Sequence, residues 1–243
     1  MGIFVKDLLL ERLRIPTFFT NDAAHYRCEI KKLLSGKKGG KPLKGAIVSS
    51  VVPGLTDILA RSAKAFCPGN PLIVTNALRT GLTYAVENPG EIGSDRIVGA
   101  VAALKILGSP AAVVDFGTAT TISAVKGRRF LGGALLPGLR LMGEALHRGT
   151  AKLPPVEGVL DAAAEVKALG KSTIASMISG MIYGTAGAVE RILRDIEKEE
   201  DCRFRVVLTG GYSGTMARFV ERESFLDPDL ALTGLRLLYE RNS

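Results

Sequence analysis

The run AAVVDFGTATTISAV at Ala111 to Val125 constrains this chain more than any other segment. A hydrophobic strand delivers an acid, Asp115, to its end. Gly117 then permits a tight turn, and a Thr-rich strand returns. Backbone N–H groups and hydroxyls in such a turn can hold phosphate oxygens, and the carboxylate can bind a cation or its hydration shell. By itself the segment reads equally well as an ordinary hairpin, because Asp-x-Gly turns are common.

The rest of the core must be aliphatic. The chain has 243 residues, of which 47% are hydrophobic, 6% are aromatic and none is Trp. Val, Ile, Leu and Ala suit buried parallel or mixed sheets with helices on their faces, so the expected class is α/β. The length allows one large domain or two small ones.

Strands are predicted at Gly2–Val5, Leu8–Leu13, Gly45–Val52, Pro71–Val74, Ala111–Val125, Phe130–Leu136 and Val206–Thr209. Helices are predicted over Asn21–Leu34, capped by Asn21 or Asp22, and over Leu55–Phe66 and Ser94–Leu107. Others follow at Leu139–Arg148, at Ser172–Lys198 with Ser172 as cap, and at Gly234–Arg241. Tyr84–Gly93 reads as a loop, and Pro53-Gly54 as a turn. Gly108-Ser109-Pro110 marks a junction, so the expected domains are 1–107 and 108–243.

Net charge is +8, and +5 of it lies in the first 60 residues. Lys31, Lys32, Lys37, Lys38, Lys41 and Lys44 form a cluster around a Gly-rich loop. A basic surface can attract nucleic acid or nucleotides, but without interleaved aromatics this one reads as a solvated loop. Cys28, Cys67 and Cys202 are odd in number and far apart, and His25 and His147 stand alone, so reduced thiols and no zinc site are expected. No run reaches the ~18 apolar residues of a membrane helix, and the N-terminus has no cleavage site of the secretory type. The expected location is the cytoplasm.

Three further constellations carry possible chemistry. In Asn88-Pro89-Gly90-Glu91-Ile92-Gly93-Ser94-Asp95-Arg96, an acid and an arginine open a helix. Asp95 can accept a proton from a substrate hydroxyl and Arg96 can pair with an anion, or the two can be a cap and a surface charge. Leu208-Thr209-Gly210-Gly211-Tyr212 lets a ring or a phosphate approach the backbone, or is a plain turn. Ser176, Gly180, Gly184 and Gly187 lay small residues along one helix, where another helix can pack.

Taken in order, VSSVVPGLT (Val48–Thr56), NPGEIGSDRI (Asn88–Ile97), VVDFGTATT (Val113–Thr121), LGGALLPGL (Leu131–Leu139) and DPDLALTGLRLLYERN (Asp227–Asn242) resemble type III pantothenate kinases over nearly the whole chain. The resemblance implies an α/β, actin-like fold of the acetate and sugar kinase superfamily. Two RNase H-like halves would hold ATP and substrate between them. It implies ATP-dependent phosphorylation of pantothenate to 4'-phosphopantothenate, the first step towards coenzyme A, with Mg2+ on the phosphates and K+ or NH4+ as monovalent cation. Asp95 matches the family's general base, and Gly93, Ser94 and Arg96 its substrate-binding run. Asp115 matches the monovalent-cation ligand and Thr118 an ATP contact. Thr173 matches a pantothenate contact made across a homodimer interface. The alternative is a non-catalytic regulatory or nucleic-acid-binding accessory protein, since the family has been linked to transcription accessory factors.

Two departures stand out. The family opens with a strand carrying an Asp-x-Gly-Asn-Thr-Asn phosphate loop, whereas Met1-Gly2-Ile3-Phe4 resembles the strand just after it. Val86 stands where the family usually has a pantothenate-contacting tyrosine, with Tyr84 two residues away. Without the first phosphate cradle, positioning and charge stabilisation both suffer, so these 243 residues are expected to turn over slowly or not at all. The check is an ATP/pantothenate assay with potassium on this chain beside one extended upstream by that loop. Equal turnover would refute the expected impairment.

Overall fold

The computed structural model describes residues 1–15, 22–35, 43–52, 54–156 and 165–243. They form two compact units. The first is Met1–Leu82, Glu87–Ala102 and Leu230–Ser243, and the second is Thr83–Val86 with Ala103–Asp229.

In the first unit, β1 (Gly2–Val5) pairs antiparallel with β2 (Leu8–Arg12). Helix α1 (Ala23–Ser35) is capped by Asp22, whose Oδ1 accepts the N–H groups of Ala24 and His25, each at 2.9 Å. The other cap candidate, Asn21, lies outside the described residues, as do Lys37, Lys38, Lys41 and Pro53. β3 (Ile47–Val48) pairs in parallel with β4 (Leu72–Ile73), both shorter than their apolar runs suggest. Between them, α2 (Leu55–Lys64) starts after Gly54, which sits at φ 79°. Ser62 Oγ on α2 donates to the Ala23 carbonyl at 3.1 Å and ties the helix to α1.

A short 3-10 turn at Pro89–Glu91 leads into the helix α3 (Ser94–Leu107). Its residues Ile97, Val98 and Ala100 to Ala103 are all buried, as expected of a helix that is apolar on every side. The C-terminal helix begins at Leu230, four residues before the predicted start at Gly234. Gly234 is therefore interior to that helix, where its role is to allow contact. A Cβ there would lie 2.2 Å from the Val98 carbonyl oxygen, so the glycine is where this helix crosses α3. At its last turn Asn242 accepts from the Arg79 N–H at 3.1 Å and donates to the Arg79 carbonyl at 3.0 Å.

The second unit is built on one six-stranded sheet. Its strands are β5 (Thr83–Tyr84), β6 (Ala111–Phe116), β7 (Ala119–Lys126), β8 (Arg129–Pro137), β9 (Arg205–Thr209) and β10 (Ser224–Leu226), in the order β10-β9-β6-β7-β8-β5. β6, β7 and β8 form an antiparallel meander, and β9 and then β10 add in parallel on the other side of β6. Counted from β6, five strands stand in the order 3-2-1-4-5, the RNase H-like arrangement. β5 and β10 were not expected from sequence. Each is only two or three residues long, and β5 ends on Tyr84, the first residue of the predicted Tyr84–Gly93 loop.

α4 (Leu139–Gly149) follows β8, and α5 (Thr173–Glu199) covers one face of the sheet. Met177, Met181, Ile182, Val189 and Leu193 recur at helical spacing and pack against Ala112, Val114, Phe116, Ile122 and Leu208. Ser172 caps α5 by accepting the Ala175 N–H at 3.2 Å. α6 (Ser213–Met216) follows β9, and the helix Leu230–Asn242 is α7. No helix among the described residues is long and apolar enough to cross a membrane.

One ion cluster fastens the edge of this sheet to α5. The Arg222 guanidinium meets Glu190 at 3.2 Å and both oxygens of Glu197 at 3.2 Å, while Glu197 also accepts the Phe204 N–H at 3.1 Å. Burial pushes the Glu197 carboxyl up, but the Arg222 and Phe204 hydrogen bonds outweigh it and hold the group below its ordinary 4.5. A depressed carboxylate adds stability above the unfolded value, and that stability is lost as pH falls through the folded value. Arg222→Ala strands two carboxylates and is expected to cost roughly 2–4 kcal/mol at neutral pH, less in acid. Urea unfolding at pH 7 and pH 4 checks this, and equal losses at both would contradict the cluster's role.

Candidate functional site

Gly93, Ser94, Asp95 and Arg96 come together at the start of α3. Ser94 is 8% exposed. Its hydroxyl accepts from Ser49 Oγ at 2.8 Å and donates to the Ser50 carbonyl at 3.3 Å. The end of β3 is thus stitched to the first turn of α3. Asp95 is exposed, and its Oδ1 accepts the Arg96 N–H at 2.8 Å. A Cβ on Gly93 would fall 2.4 Å from that same oxygen. The carboxylate therefore rests on bare backbone, with one oxygen engaged in the helix's first turn. Burial pushes the Arg96 guanidinium below its ordinary range, against the pull of the neighbouring Asp95 carboxylate. Together these residues offer a solvent-facing acid and a half-buried cation at a helix N-terminus, suited to an anionic molecule bearing a hydroxyl.

Asp115 and Thr118 come together in the second unit, at the turn between β6 and β7. Asp115 is in register with Thr121 on β7 and with Thr209 on β9. The alternate residues Val114, Phe116, Ile122 and Leu208 belong to the core against α5. The carboxylate and both threonines therefore lie in one row on the opposite face. Gly117 does not take up the left-handed backbone expected of a tight-turn glycine. What it supplies is room, since a Cβ there would sit 3.2 Å from Asp115 Oδ1 and 3.5 Å from the Ala119 carbonyl. Thr118 is exposed at the tip of the turn.

Two other turns close on this loop. The Gly138 N–H, at the N-cap of α4, donates to the Thr118 carbonyl at 3.1 Å. A Cβ at Gly138 would come within 2.3 Å of that oxygen and 2.4 Å of the Gly117 carbonyl. Gly210, after β9, sits at φ 94°, and its Cβ would stand 2.2 Å from Asp115 Oδ1. The Tyr212 N–H donates to the Phe116 carbonyl at 3.1 Å. Three backbone turns thus meet at the Asp115–Thr118 loop, and the N–H groups of Gly117, Gly138 and Tyr212 are spent on carbonyls in it or beside it. The Asp115 carboxylate and the neighbouring threonine hydroxyls are oxygen groups of the kind that suit a cation.

Thr173 is exposed on the first turn of α5. Before it, residues 166–170 run along the helix, held by hydroxyls that donate to alternate carbonyls. Ser176 donates to Gly170 at 3.3 Å, Ser179 to Ala168 at 2.6 Å and Tyr183 to Val166 at 3.2 Å. Thr173 lines an open groove of about 660 Å³ with Met142, Leu146, Leu153 and Ser176. At the far edge of the sheet, the Tyr84 ring stacks obliquely on Phe130 at 6.3 Å, and Val86 lies over Gly132.

Residues 1–195 match the family described as type III pantothenate kinase. A type III pantothenate kinase of Bacillus cytotoxicus is 37% identical over 246 aligned positions, covering 100% of this chain and 92% of that protein. The chain belongs to the type III pantothenate kinase family. Among solved structures, one described as a Baf family transcriptional activator from Campylobacter jejuni is 17% identical. It aligns over 88% of each chain at a TM-score of 0.55, a likeness of fold. The class is α/β, with the actin-like fold of this pantothenate kinase family.

Sequence reasoning about this pantothenate kinase family member missed two participants, Ser49 and Gly138, and the partner of a third, Gly210. Ser49 lies in the VSSVV run but gave no sign of reaching Ser94, which is 45 positions away. Gly138 and Gly210 were visible as turn glycines. Their contact with the Asp115–Thr118 loop depends on strands and helices far apart in sequence, so no local spacing reveals it.

Proposed function

We propose that this protein transfers the γ-phosphoryl group of ATP to pantothenate, giving 4'-phosphopantothenate. The observation that carries this reading is the pairing of an exposed Asp95 with a half-buried Arg96 on the first turn of α3, in a chain of this family. Asp95 takes the proton of the pantothenate hydroxyl as its oxygen forms a bond to the γ-phosphorus. The bond from that phosphorus to the bridging oxygen breaks, and ADP leaves. Arg96 and Ser94 hold the anionic substrate, and Gly93 leaves the Asp95 carboxylate room to turn towards it.

Thr118 is the proposed ATP contact, with the Gly117–Thr118 backbone beside the phosphates. Mg2+, when bound with the nucleotide, supplies neutralisation of charge on the phosphates. Asp115 is the proposed ligand of K+ or NH4+. The fit rests on an all-oxygen row of one carboxylate and two hydroxyls. The proposed location is the cytoplasm, in keeping with three free thiols. The family assignment favours the kinase reading over a nucleic-acid accessory role.

We propose a homodimer packed through α5. Gly180, Gly184 and Gly187 are exposed along it, and a Cβ on any of them would meet nothing within 4 Å. Such a smooth stripe lets a second helix approach closely, bringing Thr173 next to a partner subunit.

With ATP, Mg2+, K+ and pantothenate, mass spectrometry should detect 4'-phosphopantothenate from the chain extended upstream by the first phosphate loop. Asp95→Asn should lower kcat by about 10²–10⁴-fold with little change in thermal stability. Absence of product from the extended chain would overturn the kinase reading. For the dimer, light scattering should give twice the chain mass for wild type and the single mass for Gly184→Arg. A wild-type monomer would rule out the proposed interface.

A further inference from the structure

We propose that Gly210 is a positioning residue. By presenting bare backbone to the Asp115 carboxylate, it sets the direction in which that carboxylate meets the monovalent cation. The inference rests on the assignment of Asp115 made above, and concerns how this chain's own residues prepare the group.

The close contact is to Asp115 Oδ1, at 2.2 Å from a Cβ placed on Gly210. The same Cβ would lie 2.7 Å from the backbone N and C of Phe116. The positive φ of 94° adds a second reason for glycine, since L side chains rarely adopt it. Backbone freedom alone does not account for the site, however. Gly54 and Gly127 also have positive φ, and a Cβ on either meets nothing within 4 Å.

The turn that carries Gly210 cannot easily recede. Its carbonyl accepts both the Ser213 N–H at 3.2 Å and the Ser213 hydroxyl at 2.8 Å. Ser213 is buried, and the neighbouring Tyr212 N–H is tied to Phe116. With the wall fixed, an added methyl presses on both the Phe116 backbone and the carboxylate, and of these the carboxylate gives more readily, because it turns about its two side-chain torsions. Gly117 meets the same oxygen from the β6–β7 side. Oδ1 is thus held between two turns, in a row with Thr121 and Thr209. Rotating it out of that row would separate the carboxylate from the neighbouring oxygens that a cation would share. Small errors of this kind are costly, because oxygen sites depend on ligand geometry.

The test reads potassium binding without turnover. Melting temperature is followed against KCl, with tetramethylammonium chloride keeping ionic strength constant. Wild type should be stabilised specifically by KCl, and Asp115→Asn should not. Gly210→Ala should need at least about 10-fold more KCl for the same rise, since the ligand is displaced. Gly214→Ala is the control, because a Cβ there meets nothing within 4 Å, and it should keep the wild-type midpoint. Should Gly210→Ala fail to fold, Ser213→Ala loosens the same wall and should also raise the midpoint. A Gly210→Ala protein with lowered basal stability but a wild-type KCl midpoint would show a merely structural glycine and overturn the proposal. An unchanged midpoint in Ser213→Ala, or a wild type indifferent to potassium, would overturn it too. A potassium-dependent shift without any phosphorylated pantothenate would instead count against the kinase reading and leave the role of Gly210 standing.

Discussion

The contact between backbone and carboxylate at Asp115 governs much of the second unit. Gly210 and Gly117 approach one oxygen from two different turns, and Gly138 closes on the carbonyls of the same loop. At Gly210 and Gly138 the approach is possible only because a side chain is missing, while at Gly117 a Cβ would be tight. A methyl group at either Gly210 or Gly138 would have to displace a carboxylate or a main-chain atom in a well-packed region, which costs stability and, at this site, geometry. Asp95 in the first unit repeats the device, with Gly93 beneath its carboxylate. Both acids are therefore oriented by what their neighbours lack.

Such precision needs a rigid frame. In the second unit the frame is β6, buried at Ala111 to Val114 and hydrogen-bonded on both sides. Its α5-facing residues anchor it in an aliphatic core, so the alternate residue Asp115 has no freedom to slip in register without turning the core outward. The Arg222 cluster serves the same frame at its edge, joining β10 and the segment before it to α5 through Glu190 and Glu197. In the first unit the hydroxyl contacts among Ser49, Ser50 and Ser94 do the equivalent work, fixing the first turn of α3 to the end of β3.

Local signals in the sequence were sufficient wherever a segment was long and strongly periodic. Helix α3, the β6–β7–β8 meander and the long α5 with its Ser172 cap could be read directly. They failed where pairing was brief. β5, β10 and α6 span two to four residues, too few for a period to emerge. Gly234 was misleading for a different reason. A glycine at the edge of an apolar run can mark a boundary, but here it marks a crossing with α3 at Val98, too far away in the chain for any local pattern to encode.

The sequence by itself determined the α/β class, the aliphatic core and the order of the motifs, because periodicity and motif order are properties of the chain alone. It also placed Asp95 at a helix start and Asp115 at a strand end, since an apolar run must stop where a charge begins. Only the tertiary structure decided which backbone each carboxylate would rest on. Gly210 lies 95 positions from Asp115 and becomes its neighbour through the parallel pairing of β9 with β6. The Asp115 turn, which reads as an ordinary hairpin when taken alone, is in the folded protein the meeting point of three backbone turns. The physical reason is that close packing is a relation between distant segments, and a glycine's purpose becomes visible only once the atom it makes room for is in place.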